Sequence, residues 1–81
     1  MHKQDISTII HLHFEAMTEL EQVIARYFLQ VETIHDDLSS QEVTQKLHIS
    51  QAALTRFAKK CGFKGYREFI FKYQQQKDTL P

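Results

Sequence analysis

A chain of 81 residues with no net formal charge, 42% hydrophobic and 25% charged, is one domain at most and too apolar to stay disordered. Two Gly and one Pro leave too few turn signals for a β fold, and the lone Cys61 excludes an internal disulfide and points to the cytoplasm. No apolar run approaches the roughly 18 residues that span a bilayer, and no signal-peptide pattern opens the chain.

The overall neutrality hides an asymmetry. Residues 1–45 carry eight acidic groups (Asp5, Glu15, Glu19, Glu21, Glu32, Asp36, Asp37, Glu42) against Lys3 and Arg26. Residues 46–77 carry eight basic groups (Lys46, Arg56, Lys59, Lys60, Lys64, Arg67, Lys72, Lys77) against Glu68. Such a division suits a face that meets an anionic partner, or two solvated faces of opposite sign that attract each other.

An all-α fold of five helices is expected when the apolar residues are placed at ~100° per residue. The first helix spans about Ile6 to Met17, with Ile6, Ile9, Ile10, His13 and Met17 on one stripe. Thr18-Glu19-Leu20-Glu21 is a capping box, in which a hydroxyl and a carboxylate satisfy the free amides that open a helix. It starts a second helix whose inward stripe is expected to be Leu20, Val23, Ile24, Tyr27 and Val31. Glu32 to Leu38 has no such rhythm and reads as a loop. A second capping box, Ser39 to Glu42, opens a short third helix with Val43 and Leu47 as its apolar residues.

Ser50 is a good N-cap for a fourth helix over Gln51 to Cys61, and Gly62 a good stop. Leu54, Phe57, Ala58 and Cys61 fall at i, i+3, i+4 and i+7 and form a buried stripe. Opposite them lie Ala52, Arg56 and Lys59, flanked by Thr55, Lys60 and Ala53. A short helix, a tight turn and a second helix with one buried side and one small, basic side make a helix-turn-helix, whose second helix enters the major groove of DNA. The fifth helix spans about Tyr66 to Gln75 and buries Tyr66, Phe69, Ile70 and Tyr73. Phe71, Leu12 and Leu29 point away from their stripes, which suggests a homodimer through the first, second or fifth helix.

Other residues carry less. His11 and His13 diverge by about 200° on a helix and do not face one metal site. Cys61 falls on the buried stripe and reads as a small core residue. Ser, His and Asp show no catalytic arrangement, and a five-helix domain of this size leaves little room for a pocket. No catalytic residue, metal site or cofactor is expected.

Thr18 to Glu21, Ser39-x-x-Glu42, Ile49-Ser50, Arg56-Phe57 and Gly62-Phe63-Lys64-Gly65-Tyr66 together resemble the N-terminal domain of the RpiR family of bacterial transcription regulators, over roughly residues 18–70. The resemblance implies a helix-turn-helix domain over 1–73, with 74–81 beginning a linker to a sugar-isomerase-like domain that senses phosphosugars and is absent from this chain. It implies control of sugar or phosphosugar metabolism genes. Three positions depart from the family's pattern. His48 stands for a turn glycine, although His tolerates positive φ. Thr44 stands for a small alanine where the two helices cross, and Ala53 for a threonine that would contact phosphate.

Gln51, Ala52 and Arg56 are the candidates for base edges, because Gln pairs with adenine, Arg with guanine, and an alanine methyl touches thymine. Ser50, Thr55, Lys59, Lys60 and Lys64 are candidates for phosphates, with Ser39, Ser40 and Gln41 at the N-terminus of the third helix, where free amides suit an anion. The partner expected is a double-stranded operator with an inverted repeat, bound by a homodimer. The competing reading is a helical interaction module that docks its basic face on an acidic protein.

Overall fold

The computed structural model describes residues 5–79, and side chains over 5–75. Five α-helices follow in the order α1 (Ile6–Phe14), α2 (Glu19–Leu29), α3 (Ser40–Leu47), α4 (Gln51–Lys60) and α5 (Tyr66–Thr79), with a 3₁₀ helix, Val31–His35, between α2 and α3. No strand occurs among the described residues.

The caps set most boundaries. Asp5 accepts the Thr8 amide at 2.8 Å and opens α1. Its first bond, from the amide of Thr8, holds the Asp5 carboxyl below the ordinary range. The Thr18/Glu21 box is complete, at 3.0 and 3.2 Å, and starts α2. Helix α1 ends at Phe14 rather than Met17, because the Ala16 and Met17 amides bond three residues back, to His13 and Phe14, and tighten the chain into a turn from which Met17 reaches the core. The second expected box forms only by half. Ser39 Oγ accepts the Glu42 amide at 3.3 Å, but the Ser39 amide donates to Asp37 Oδ1 at 3.1 Å instead of to Glu42.

The core is aromatic. The Phe28 ring lies 5.0 to 6.3 Å from those of Tyr27, Phe57, Tyr66, Phe69 and Tyr73, and Phe69 is packed nearly as densely against Phe57, Phe63, Tyr66 and Tyr73. Edge-to-face and offset pairs of this kind add ~0.5–1.5 kcal/mol each beyond the area they bury. Ile6, Ile10, Ile24, Val43 and Leu54 complete it from the other helices.

The packing corrects the expected face of α2. Leu20, Val23 and Val31 are 43%, 41% and 84% exposed, whereas Glu21, Ile24, Ala25, Tyr27 and Phe28 are buried. Two of the five stripe residues, Ile24 and Tyr27, are thus inward. Leu29, expected to point outward, is half-buried against the core. The expected loop after α2 is largely the 3₁₀ helix, fastened by side chains: Thr33 Oγ1 donates to the Tyr27 carbonyl at 2.6 Å and Tyr27 Oη to Asp36 Oδ2 at 2.7 Å. Tyr66 Oη donates to the Leu38 carbonyl at 2.6 Å, which pins the segment before α3 onto α5. Helix α5 buries Tyr66, Phe69 and Tyr73, leaves Ile70 half-buried, and runs past Gln75 to Thr79.

Candidate nucleic-acid interface

Helices α3 and α4 are joined by three residues whose geometry follows from hydrogen bonding. At the end of α3, His48 takes φ 58° and ψ 46°. Its amide donates to the Gln45 carbonyl at 3.3 Å, and the Ile49 amide reaches back to the Thr44 carbonyl at 3.0 Å. This is a Schellman stop, and it requires the left-handed backbone that glycine usually supplies. His48, standing where a turn glycine is usual, does take positive φ and bears the modest strain that histidine tolerates. Ser50 Oγ then accepts the Ala53 amide at 3.0 Å and opens α4. The same stop closes α4, where Gly62 has φ 95°, its amide donates to Lys59 and the Phe63 amide to Ala58.

On α4 the two faces separate cleanly. Leu54, Phe57, Ala58 and Cys61 are buried, as their spacing predicts. Ala53 is buried too, which corrects its placement on the flank of the outer face. Gln51, Ala52, Arg56 and Lys59 are exposed, and Thr55 and Lys60 half-exposed. Ala52, Arg56 and Lys59 therefore form one outer stripe, with Gln51 at the front of the helix. Beyond α4, Lys64 is exposed. Its amide donates to Glu68 Oε1 at 2.9 Å, so Glu68 caps the approach to α5. Among the described residues Arg56 has no carboxylate partner.

The hydroxyls of Ser39 and Ser50 already accept a cap bond, but each keeps its proton to donate to a phosphate. Ser39 and Gln41 are exposed and Ser40 half-exposed. The carboxylates of Asp37 and Glu42 stand at the same end of α3, so an anion there meets free amides and negative charge together. The N-terminus of α3 is the weaker phosphate position.

Two basic residues are partly committed within the fold. Lys46 Nζ donates to Asp36 Oδ2 at 2.9 Å and lies 5.7 Å from the centre of the Tyr27 ring. The Tyr27 hydroxyl, and after it Lys46, hold the Asp36 carboxyl below the ordinary range. Lys60 Nζ stands 4.0 Å from the buried Glu21 carboxylate. Among the described residues Lys59 and Lys64 have no such tie, so positive charge faces outward at the two ends of the turn after α4.

Thr44 is a neighbour of Gln51 that periodicity missed. It is buried where α3 meets α4, and its hydroxyl donates to the carbonyls of Ser40 and Gln41 at 2.8 and 3.0 Å. Gln51 Nε2 donates to that same oxygen at 3.4 Å. The available signal was a polar residue at a helix crossing.

The remaining candidates are occupied structurally. His13 Nδ1 donates to the Ile9 carbonyl at 2.9 Å, so that nitrogen carries a proton and is no metal ligand. Burial, with the Glu21 charge behind it, pushes the Cys61 thiol up to about 11, where it stays protonated and unreactive. A groove of about 310 Å³, more space than expected, is lined mainly by Ile6, Phe28, Leu29, Val31, Ile34 and Tyr73. None of its lining residues belongs to α3 or α4.

The sequence profile of the helix-turn-helix domain, rpiR family, matches residues 4–78. An uncharacterized HTH-type transcriptional regulator of Caldanaerobacter subterraneus subsp. tengcongensis is 31% identical over 68 residues, which cover 84% of this chain. The match covers 24% of that regulator's length.

Proposed function

The chain belongs to the rpiR family of helix-turn-helix domains, and from that premise we propose that it is the sequence-specific DNA-binding domain of a transcriptional regulator. The observation that carries this reading is the outer stripe of α4. A helix whose other face is wholly buried presents a small side chain, Ala52, near its start, an unpaired guanidinium, Arg56, one turn on, and an exposed ammonium, Lys59, after it. A helix with that profile can lie close to base edges in the major groove, which is about 12 Å wide.

In this reading Gln51, Ala52 and Arg56 face the bases. Ser50, Thr55, Lys59, Lys60 and Lys64 flank them on phosphates, and Ser39, Ser40 and Gln41 add the weaker contacts of α3. Two copies bind an inverted repeat, with one α4 in each half-site. Regulation of sugar or phosphosugar genes, through an effector domain joined after 74–81, rests on family resemblance alone.

The test is selection of bound duplexes from a random pool at low salt, where phosphate contacts are strongest. Enrichment of an inverted repeat with half-sites about one helical turn apart is the expected result. A folded sample that retains no duplex overturns the reading and transfers the basic face to an acidic protein partner.

A further inference from the structure

We propose that Thr44 is a positioning residue for base recognition: it holds the Gln51 carboxamide in the orientation that reads adenine. The inference rests on the DNA-binding reading above and goes one step beyond it, to what fixes the specificity of one contact.

The argument is a count of protons. Thr44 has one hydroxyl hydrogen, and it is committed to the Ser40 and Gln41 carbonyls one turn back on α3. The oxygen can then only accept. A carboxamide facing it must turn its NH₂ side inward, as Gln51 does at 3.4 Å. That leaves Gln51 with Oε1 and one N–H directed elsewhere. Recognition of adenine in the major groove needs one acceptor for the N6 amino group and one donor for N7, which is the pair that remains.

Without this bond, the exposed Gln51 side chain would sample several rotamers and both amide orientations before meeting DNA. A bond of 3.4 Å is loose, so it biases the amide without immobilising it. Part of the rotamer entropy is thereby lost in the free protein, and the bound geometry is preorganised. An alanine at position 44 could supply none of this. Serine could, because it keeps the hydroxyl, and valine could not, although it keeps the shape.

The experiment compares the wild type with Thr44→Val, Thr44→Ser and Gln51→Ala by selection from a random duplex pool. A good bidentate contact discriminates bases by roughly five-fold to more than a hundred-fold. Gln51→Ala should abolish the adenine preference at one position of the half-site. Thr44→Val should weaken it about three- to ten-fold at that same position, with binding to unselected duplex unchanged. Thr44→Ser should restore it.

In the DNA-free protein, the Gln51 side-chain amide should be more ordered by NMR relaxation in the wild type and in Thr44→Ser than in Thr44→Val. A preference profile untouched by Thr44→Val, or lowered equally at every position, overturns this proposal while leaving DNA binding intact. A wild type that binds duplex with no base preference at all sinks the base-reading role of α4, and this proposal with it.

Discussion

Arg56 and Lys59 are both exposed on the outer stripe of α4, and in the proposed DNA-bound state they would make different contacts. A guanidinium presents a planar fork that matches the two acceptors of guanine, whereas an ammonium is a compact point charge suited to any phosphate. Arg56→Ala should therefore cost ~1–3 kcal/mol on the selected sequence and far less on random duplex. Lys59→Ala should weaken both alike and lower the salt slope by about one. Affinity titrations on the two duplexes at several salt concentrations check this, and equal losses from both variants would reduce Arg56 to a phosphate contact. Lys60→Ala should act more weakly than Lys59→Ala, because Lys60 already stands against Glu21. The charge and size of side chains along α4 were legible from spacing. The burial of Ala53 was not, since a small residue at the edge of a stripe is compatible with either face. Nor was the Thr44–Gln51 bond, which joins residues on different helices.

At the scale of elements, caps and stops were the legible features, because they depend on residues within one turn of each other. Ser50, Gly62 and the Thr18/Glu21 box each act where the sequence places them. The inward face of α2 was not legible, because apolar residues lie on both sides of that helix. Leu20 and Val23 compete with Ala25 and Phe28 for the core, and the aromatic partners of Phe28, supplied by α4 and α5, decide the rotation. The 3₁₀ helix was hidden for the same reason, being held by Tyr27 and Asp36 rather than by propensity. Asp36 also ties α3 to this segment through Lys46. Its carboxyl has a lower pKa folded than unfolded, so its contribution is present above the unfolded value near 3.8 and is lost as pH falls through the depressed folded value. Asp36→Asn should lower the melting temperature at neutral pH, and the gap from wild type should close as pH falls from about 5 through the depressed folded value. Thermal melts from neutral into acid pH measure it, and a gap independent of pH would show that the carboxylate charge is not what holds α3.

For the whole molecule, the charge asymmetry of the sequence survives as a division of labour. Glu21 and Asp36 engage lysines of the same chain, whereas Arg56, Lys59 and Lys64 are exposed with no carboxylate partner for their side chains among the described residues. The expected pairing of two copies through α1, α2 or α5 turns on apolar surface. Leu29 is withdrawn from it by its packing against the core, but Leu12 and Phe71 are 62% and 64% exposed, on helices that touch each other. Two exposed side chains of this size on a small domain are what a two-fold dimer would cover, and the expected homodimer is tested by removing them. The pair Leu12→Lys and Phe71→Lys should shift the protein from dimer to monomer in sedimentation equilibrium while leaving its helix content unchanged. Binding to a single half-site should persist and the preference for the inverted repeat should fall. A wild type that stays monomeric at the highest attainable concentration removes the dimer, and each α4 would then have to find its half-site alone.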